Sequence, residues 1–156
     1  MEWARPCQEN ALGPETVSDD GTTIKAFQVV STRISNYLRK NYPGMVEEIY
    51  SRIPKEYRPF DCFSLMMTFD GIAEISHQDK NNVHGGFSVM VFLGSFTGGE
   101  LLLADPDKNI NYRCDVKPGD LFLCRSHEIP HSALKYEGER RLLIFVSHNN
   151  VYNYYS

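Results

Sequence analysis

From residue 60 onward the chain consists of about eight short apolar runs separated by turn residues, a spacing typical of β-sandwiches and barrels. The runs lie at 60–69, 72–76, 86–93, 101–104, 109–116, 121–124, 131–136 and 140–147. Glycine, proline and aspartate separate several of them, as in Lys117-Pro118-Gly119-Asp120. A final turn is predicted at 137–139. The pattern favours two stacked sheets over a helical fold.

Two helices are predicted before the β region. Residues 1–22 are polar and turn-rich and are expected to form an N-terminal arm. The first helix has one apolar stripe at helical spacing, formed by Phe27, Val30, Ile34, Tyr37 and Leu38. A second, shorter helix is expected to end before Pro54, so that the helices occupy about 23–53. The predicted fold class is α+β, mainly β: one jelly-roll domain (a double-stranded β-helix) over 23–156, with the N-terminal helices packed on one sheet.

Composition excludes several classes of protein. The 156 residues have 42% hydrophobic content, enough for a core, and a net charge of -4 argues against a strongly basic nucleic-acid binder. No run of about 18 apolar residues predicts a membrane span, and the start of the chain lacks the apolar segment of a secretory signal. The four cysteines form no C-x-x-C pair. We expect an intracellular monomer without a membrane partner.

A histidine and a carboxylate stand two residues apart at the end of a strand-like run, as His77 and Asp79. Since the strand period is two, both side chains should leave the same face. A second histidine would complete the two-histidine, one-carboxylate site that suits non-haem Fe(II). His131 is preferred to His127 because Pro130 fixes its approach and a strand-like run follows it. The alternative is that His77 and Asp79 lie in an ordinary surface turn.

Two adjacent arginines, Arg140 and Arg141, begin the last apolar run. A planar guanidinium pairs both oxygens of a carboxylate, as binding of an oxo acid beside the metal would require. Alternation along a strand points one arginine into the barrel and the other outward. We assign Arg140 to the inside, with Arg141 as the runner-up. The alternative is two exposed arginines beside a turn.

Together these residues resemble those of a known enzyme family. Five features recur in the same order in Fe(II)/2-oxoglutarate dioxygenases: His77-Gln78-Asp79, Gly98-Gly99-Glu100-Leu101, Lys117-Pro118-Gly119-Asp120-Leu121, His131, and Arg140 before an apolar strand. The sequence is most similar to the Tet/JBP branch, which oxidises the 5-methyl group of cytosine or thymine in nucleic acid. The resemblance covers about residues 60–150.

The resemblance implies a set of roles. His77, Asp79 and His131 would bind Fe(II), Arg140 would bind 2-oxoglutarate, and O₂ would be the cosubstrate. Asn82 and His148 match the residues that contact the base, and the position of His148, eight residues after Arg140, favours Arg140 over Arg141. The implied partner is DNA containing 5-methylcytosine, either single-stranded or as a duplex from which the base is flipped out. Such an enzyme would be nuclear in a eukaryote.

One position departs from the branch. Val146 stands where an aromatic residue usually stacks on the flipped base. Phe145, Tyr152 or Tyr154 could supply the ring; otherwise the tail at 149–155 is expected to be an edge segment whose tyrosines pack on the sheet. Phosphate contacts would come from the basic stretch at 25–60, or from Lys80 and Lys108.

Two other functions are compatible with the sequence. The first is a 2-oxoglutarate-dependent hydroxylase of a protein side chain or small molecule, which Val146 and the sequence pI of about 5.7 favour. The second is a jelly-roll binding module without turnover, in which His77 and Asp79 are surface residues.

Overall fold

The computed structural model describes residues 21–71, 73–105 and 107–155, so nearly all of the predicted N-terminal arm at 1–22 lies outside the described residues. The helices are α1 (Gly21–Asn41), α2 (Pro43–Glu48) and α3 (Asn149–Tyr155), with 3₁₀ turns at Tyr50–Arg52 and Lys55–Tyr57. The two predicted N-terminal helices are therefore present. Ile34 and Leu38 of the predicted stripe are buried, whereas Tyr37 is 51% exposed and faces away from the core.

Within the described ranges, seven strands form two antiparallel sheets. They are β1 (Leu65–Phe69), β2 (Ser88–Gly98), β3 (Leu101–Asp105), β4 (Ile110–Cys114), β5 (Leu121–Cys124), β6 (His131–Ala133) and β7 (Tyr136–Val146). The larger sheet has the order β1-β7-β2-β5 and the smaller one β4-β3-β6. The protein is thus mainly β with few helices, consistent with a jelly-roll-type fold. No helix in the described part of the chain is long and apolar enough to cross a membrane.

Two apolar cores hold three layers together. One core lies between the helices and the outer face of the larger sheet, where Leu38 and Tyr50 pack with Phe63 and Phe145. The other lies between the two sheets and includes Met90, Phe92 and Leu142 from the larger sheet with Leu101 and Ala133 from the smaller one. Residues of β7 alternate between the two cores because successive strand side chains point to opposite faces.

The predicted strand at 72–76 is not a regular strand. The segment runs beside β6 and bonds to it at two separated points. The N–H of Ala133 donates to the carbonyl of Ala73 at 2.8 Å, and the backbones of His77 and His131 exchange two hydrogen bonds of 2.9 Å. Those two points suffice to fix His77 opposite the first residue of β6.

Two predictions near the C-terminus are wrong. The turn expected at 137–139 lies inside β7, where Gly138 pairs with Phe96, and the chain instead reverses at 134–135. The tail is helix α3 rather than an edge segment. His148 precedes this helix and caps it: its Nδ1 accepts the N–H of Asn150 at 3.2 Å, and its carbonyl accepts those of Val151 and Tyr152.

Candidate metal centre

The residues predicted as metal ligands, His77, Asp79 and His131, lie together in the structure. Nε2 of His77 is 3.6 Å from Oδ1 of Asp79, and Nε2 of His131 is 3.8 Å from Oδ2 of the same carboxylate. One ligand atom from each residue lies within 4.8 Å of the other two, and within the described ranges no other group of three His, Cys, Asp or Glu residues does so. The grouping follows from the pairing of His77 with His131.

Backbone carbonyls fix the orientation of both imidazoles. Nδ1 of His77 is 3.0 Å from the carbonyl of Ile75, and Nδ1 of His131 is 3.0 Å from the carbonyl of Ile129. A carbonyl oxygen can only accept, so each Nδ1 donates its hydrogen to the carbonyl and Nε2 is the ring nitrogen left to face the cluster. Metal-binding histidines generally have such a partner on the other nitrogen.

The cluster is open to solvent on one side. The side chain of His131 is 8% exposed, whereas those of His77 and Asp79 are 41% and 34% exposed. The backbone of Asp79 is fixed by a hydrogen bond, because its N–H donates to the carbonyl of Ser126 at 2.9 Å. A ligand or substrate could therefore approach from the side of His77 while His131 remains enclosed.

The donor set fits a divalent iron ion. Metal–nitrogen and metal–oxygen distances of about 2.0–2.2 Å, as found for zinc, place two ligand atoms at right angles about 3 Å apart. The separations of 3.6 and 3.8 Å are slightly wider and would close with small side-chain movements. Two imidazoles and one carboxylate form the two-histidine, one-carboxylate set that leaves positions open on Fe(II). His127, the alternative ligand, instead packs its ring 5.4 Å from that of His84.

Arg140 lies in the interior, and its guanidinium has no ion-pair partner among the described residues. It donates to the carbonyls of Gly99 at 3.0 Å and Gly71 at 3.1 Å, and it stacks 4.2 Å from the ring centre of Tyr136. Its Nε is buried and has no hydrogen-bond partner in the part of the chain that the structure describes. Burial lowers the pKa of this guanidinium from its ordinary value. Arg141 is exposed, as alternation along β7 requires.

A buried cation without an acidic partner is costly unless an anion joins it, so Arg140 fits the carboxylate of a bound oxo acid. The Gly98-Gly99-Glu100 turn makes room for the guanidinium. Gly99 has a φ of 75°, and a Cβ at this position would collide with Nη1 of Arg140. The glycine in this turn is therefore explained by the arginine it accommodates.

The two residues predicted to contact a base also lie together. Asn82 and His148 form an isolated backbone bridge, and the N–H of Asn82 donates to the carbonyl of Asp79 at 2.9 Å. The side-chain amide nitrogen of Asn82 is used within the protein, where it donates to Ser88 at 3.0 Å and Ser126 at 3.2 Å. The carbonyl oxygen Oδ1 is the atom that remains to accept a hydrogen bond from a substrate.

Three aromatic residues were candidates for stacking on the base in place of Val146, and two of them pack in the core. Phe145 is fully buried beneath the helices, and Tyr152 packs against the same core and accepts a hydrogen bond from Arg52 at 3.2 Å. Tyr154 on α3 is 79% exposed, and Val146 is buried. Neither Phe145 nor Tyr152 is placed to stack on a base.

The sheet register reveals an aromatic residue that sequence reasoning missed. His131 pairs with Leu103, and Leu103 pairs with Tyr112 across β3 and β4. Directly opposed residues share a face, so Tyr112 projects on the same side of the smaller sheet as His131. The only sequence signal was that Tyr112 falls in the run at 109–116; its face depends on the register.

Comparisons with known proteins bear on the fold. No family model matches the sequence, and no curated protein matches it. Among solved structures, NgTET1 in complex with 5mC DNA matches with a TM-score of 0.58 and 18% identity over 80% of this chain. This chain covers 49% of that chain, so it spans about half of its length.

Two further solved structures are more distant. An oxidoreductase of the 2OG-Fe(II) oxygenase family from Burkholderia pseudomallei has a TM-score of 0.41 and 24% identity over 53% of this chain and 41% of that one. Hydroxypropylphosphonic acid epoxidase from S. wedmorenis has a TM-score of 0.34 and 15% identity over 53% of this chain and 42% of that one. Likenesses at this level carry no argument. The match to NgTET1 shows that the chain shares the fold of that protein.

Proposed function

We propose that the protein is an Fe(II)- and 2-oxoglutarate-dependent dioxygenase with a double-stranded β-helix fold, which oxidises the 5-methyl group of 5-methylcytosine in DNA. One observation carries the proposal: two histidines and one aspartate form a cluster in a fold that also buries an arginine without an acidic partner among the described residues. The shared fold with NgTET1, a structure containing 5mC DNA, supports it.

The contacts of each group support the role that we propose for it. His77, Asp79 and His131 would hold Fe(II), with the Nδ1 hydrogen bonds keeping both Nε2 atoms available to the metal. Arg140 would bind the distal carboxylate of 2-oxoglutarate with N–H groups that the two carbonyls leave unused. When bound, Fe(II) and 2-oxoglutarate use O₂ to oxidise a C–H bond, and 2-oxoglutarate becomes succinate and CO₂.

The substrate assignment rests on groups around the open side of the cluster. Asn82 would accept a hydrogen bond at Oδ1 from the amino group of cytosine, with His148 beside it. A base in a duplex would have to leave the stack to reach this site. Lys80, next to Asp79, is an exposed cation on the adjoining loop and would contact a phosphate, whereas Arg125, next to Ser126, is exposed but lies 3.8 Å from the carboxylate of Glu128.

One set of observations favours the second candidate, a hydroxylase of a protein side chain or small molecule. Two cations predicted to bind phosphate are paired within the protein: Arg39 with Asp61, and Lys108 with Asp105 at 2.8 Å. Val146 provides no ring for a base. This candidate uses the same metal and 2-oxoglutarate residues and differs only in substrate. A binding module without turnover would leave the unpaired burial of Arg140 unexplained.

The test is anaerobic titration with Fe(II) and 2-oxoglutarate, followed by aeration with a 5-methylcytosine oligonucleotide and mass spectrometry of the nucleosides. We expect one iron per chain, oxidised methylcytosine, and loss of both in His77→Ala and Asp79→Ala. His84→Ala is the matched control, because the side chain of His84 is 77% exposed and lies outside the cluster. Turnover retained in either ligand variant would refute the site.

A further inference from the structure

We propose that Ser88 and Ser126 are positioning residues that hold Asn82, and through it Asp79, in the orientation that binds the metal. The inference rests on the proposed function, since it concerns the same metal site. It assigns a role to two serines that the metal chemistry does not use directly.

The two serines form a buried polar pair. Ser88 is the first residue of β2 and Ser126 follows β5, and they are 2% and 1% exposed. Their hydroxyl groups are hydrogen-bonded to each other. The neighbouring pair Ser88↔Cys124 aligns β2 with β5 and fixes their approach. Buried hydroxyl groups need hydrogen-bond partners, and besides each other these two hydroxyl groups share a side-chain amide as a partner.

That amide belongs to Asn82. Its Nδ2 lies 3.0 Å from Oγ of Ser88, 3.2 Å from Oγ of Ser126 and 3.4 Å from Oδ2 of Asp79. Two amide hydrogens are thus shared among three oxygens, one of which belongs to the carboxylate. Either serine alone would leave the amide less constrained, so the pair fixes the amide plane.

The backbone reinforces the same link. The N–H of Asp79 donates to the carbonyl of Ser126 at 2.9 Å, and the N–H of Asn82 donates to the carbonyl of Asp79 at 2.9 Å. The turn from Asp79 to Asn82 is therefore hydrogen-bonded to Ser126, after β5, through both its backbone and the side chain of Asn82. Removing a serine hydroxyl would loosen only the side-chain part, which makes the substitutions selective.

The arrangement also decides which atom of Asn82 faces the substrate. Because Nδ2 donates to the serines and the carboxylate, Oδ1 is directed away from them. The serine pair would thus fix Asn82 as an acceptor toward a substrate amino group. If the amide could rotate, it would offer donor and acceptor alike and would lose that selectivity.

The experiment measures binding of Co(II) to the metal-free protein, without turnover. We expect Ser88→Ala and Ser126→Ala each to weaken Co(II) binding roughly 10-fold, the lower end of the effect of removing a partner of a metal ligand. Ser31→Ala is the matched control: this serine is also fully buried and donates to the carbonyl of Gln28 at 3.0 Å, but it lies on α1. Its Co(II) affinity should equal that of the wild type.

A double-mutant cycle with Asn82→Ala distinguishes this route from general loosening of the fold. If the serines act through Asn82, the pair Ser126→Ala and Asn82→Ala should bind Co(II) no more weakly than Asn82→Ala alone. Additive losses would overturn the proposal, as would Co(II) affinities of the serine variants within twofold of the wild type. In both cases the wild type still binds Co(II), so the metal site of the proposed function is not contradicted. A wild type that binds no Co(II) would overturn the proposed function itself. Because Ser88→Ala and Ser126→Ala are separate variants, the proposal can still be tested if only one of them folds.

Discussion

Replacing Arg140 with methionine should uncouple ligand binding from stability. In the protein without ligand, Arg140 is a buried cation that donates to two carbonyls and stacks on Tyr136, and its Nε has no hydrogen-bond partner among the described residues. Methionine has a similar length and no charge to desolvate, and replacing buried charges with apolar groups of like volume is often neutral or stabilising. We therefore expect Arg140→Met to be at least as stable as the wild type, but to lose affinity for 2-oxoglutarate.

The size of the loss follows from the hydrogen bonds available. A guanidinium has five N–H groups, and two of those of Arg140 are used by Gly99 and Gly71, so others remain for a carboxylate. Hydrogen bonds to charged groups contribute about 1.5–3 kcal/mol each. Losing two at the lower value costs about 3 kcal/mol, which corresponds to roughly 150-fold in dissociation constant.

The assay is thermal unfolding of the Co(II)-loaded protein over a 2-oxoglutarate titration. At a ligand concentration about 1,000 times the wild-type dissociation constant, the wild type should gain about 4.1 kcal/mol and Arg140→Met only about 1.2 kcal/mol. Arg141→Met is the control, because Arg141 is exposed on the opposite face, and it should behave as the wild type. A loss of affinity in Arg141→Met, with none in Arg140→Met, would refute the assignment.

Four further predictions concern single residues. Gly99→Ala should push Arg140 aside and lower 2-oxoglutarate affinity roughly 10-fold, measured by the same titration; unchanged affinity would contradict the close contact. Phe63→Ala should lower the free energy of unfolding by about 3–5 kcal/mol in a denaturant titration, because Phe63 is fully buried; a loss below about 1 kcal/mol would contradict the packing. Tyr112→Ala should raise KM for a methylated oligonucleotide without changing 2-oxoglutarate affinity; an unchanged KM would exclude a substrate contact. Burial, and then the nearby Asp79 charge, raises the pKa of the Cys124 thiol from 9.0 to about 11. The folded state therefore keeps this proton longer than the unfolded chain, so stability from Cys124 is full below pH 9 and is lost between pH 9 and 11. The difference in unfolding free energy between wild type and Cys124→Ala should shift over that range, and a constant difference would contradict it.

Local patterns predicted the two N-terminal helices and most strands because those elements bury one continuous stripe or face. Ile34 and Leu38 were identifiable from spacing alone, and both are buried. The turn expected at 137–139 failed for a tertiary reason: β2 pairs with β7 along its whole length, so Gly138 is held in the ladder opposite Phe96. Helix α3 was missed because its cap is a histidine, which is not a common capping residue.

The part of the candidate site that could be predicted from the sequence consists of histidine and aspartate residues, which are recognisable as possible metal ligands. His77, Asp79 and His131 are metal-ligating residue types at a recognisable spacing, and the structure brings them together. Ser88 and Ser126 gave no signal, because a serine in or beside a strand looks the same whether it faces solvent or an asparagine. Their burial and mutual contact depend on the alignment of β2 with β5, which sequence patterns do not determine.

The most direct test of the account is the stoichiometry of turnover. The Fe(II)-loaded protein would be mixed with 2-oxoglutarate, O₂ and an oligonucleotide carrying 5-methylcytosine, and succinate and oxidised base would be quantified by mass spectrometry. The account predicts one succinate for each oxidation step on the methyl group, and neither product with Asp79→Ala. Succinate without oxidised base would retain the dioxygenase and contradict the DNA substrate. Neither product from a protein that binds no iron would contradict the assignment of His77, Asp79 and His131 as metal ligands.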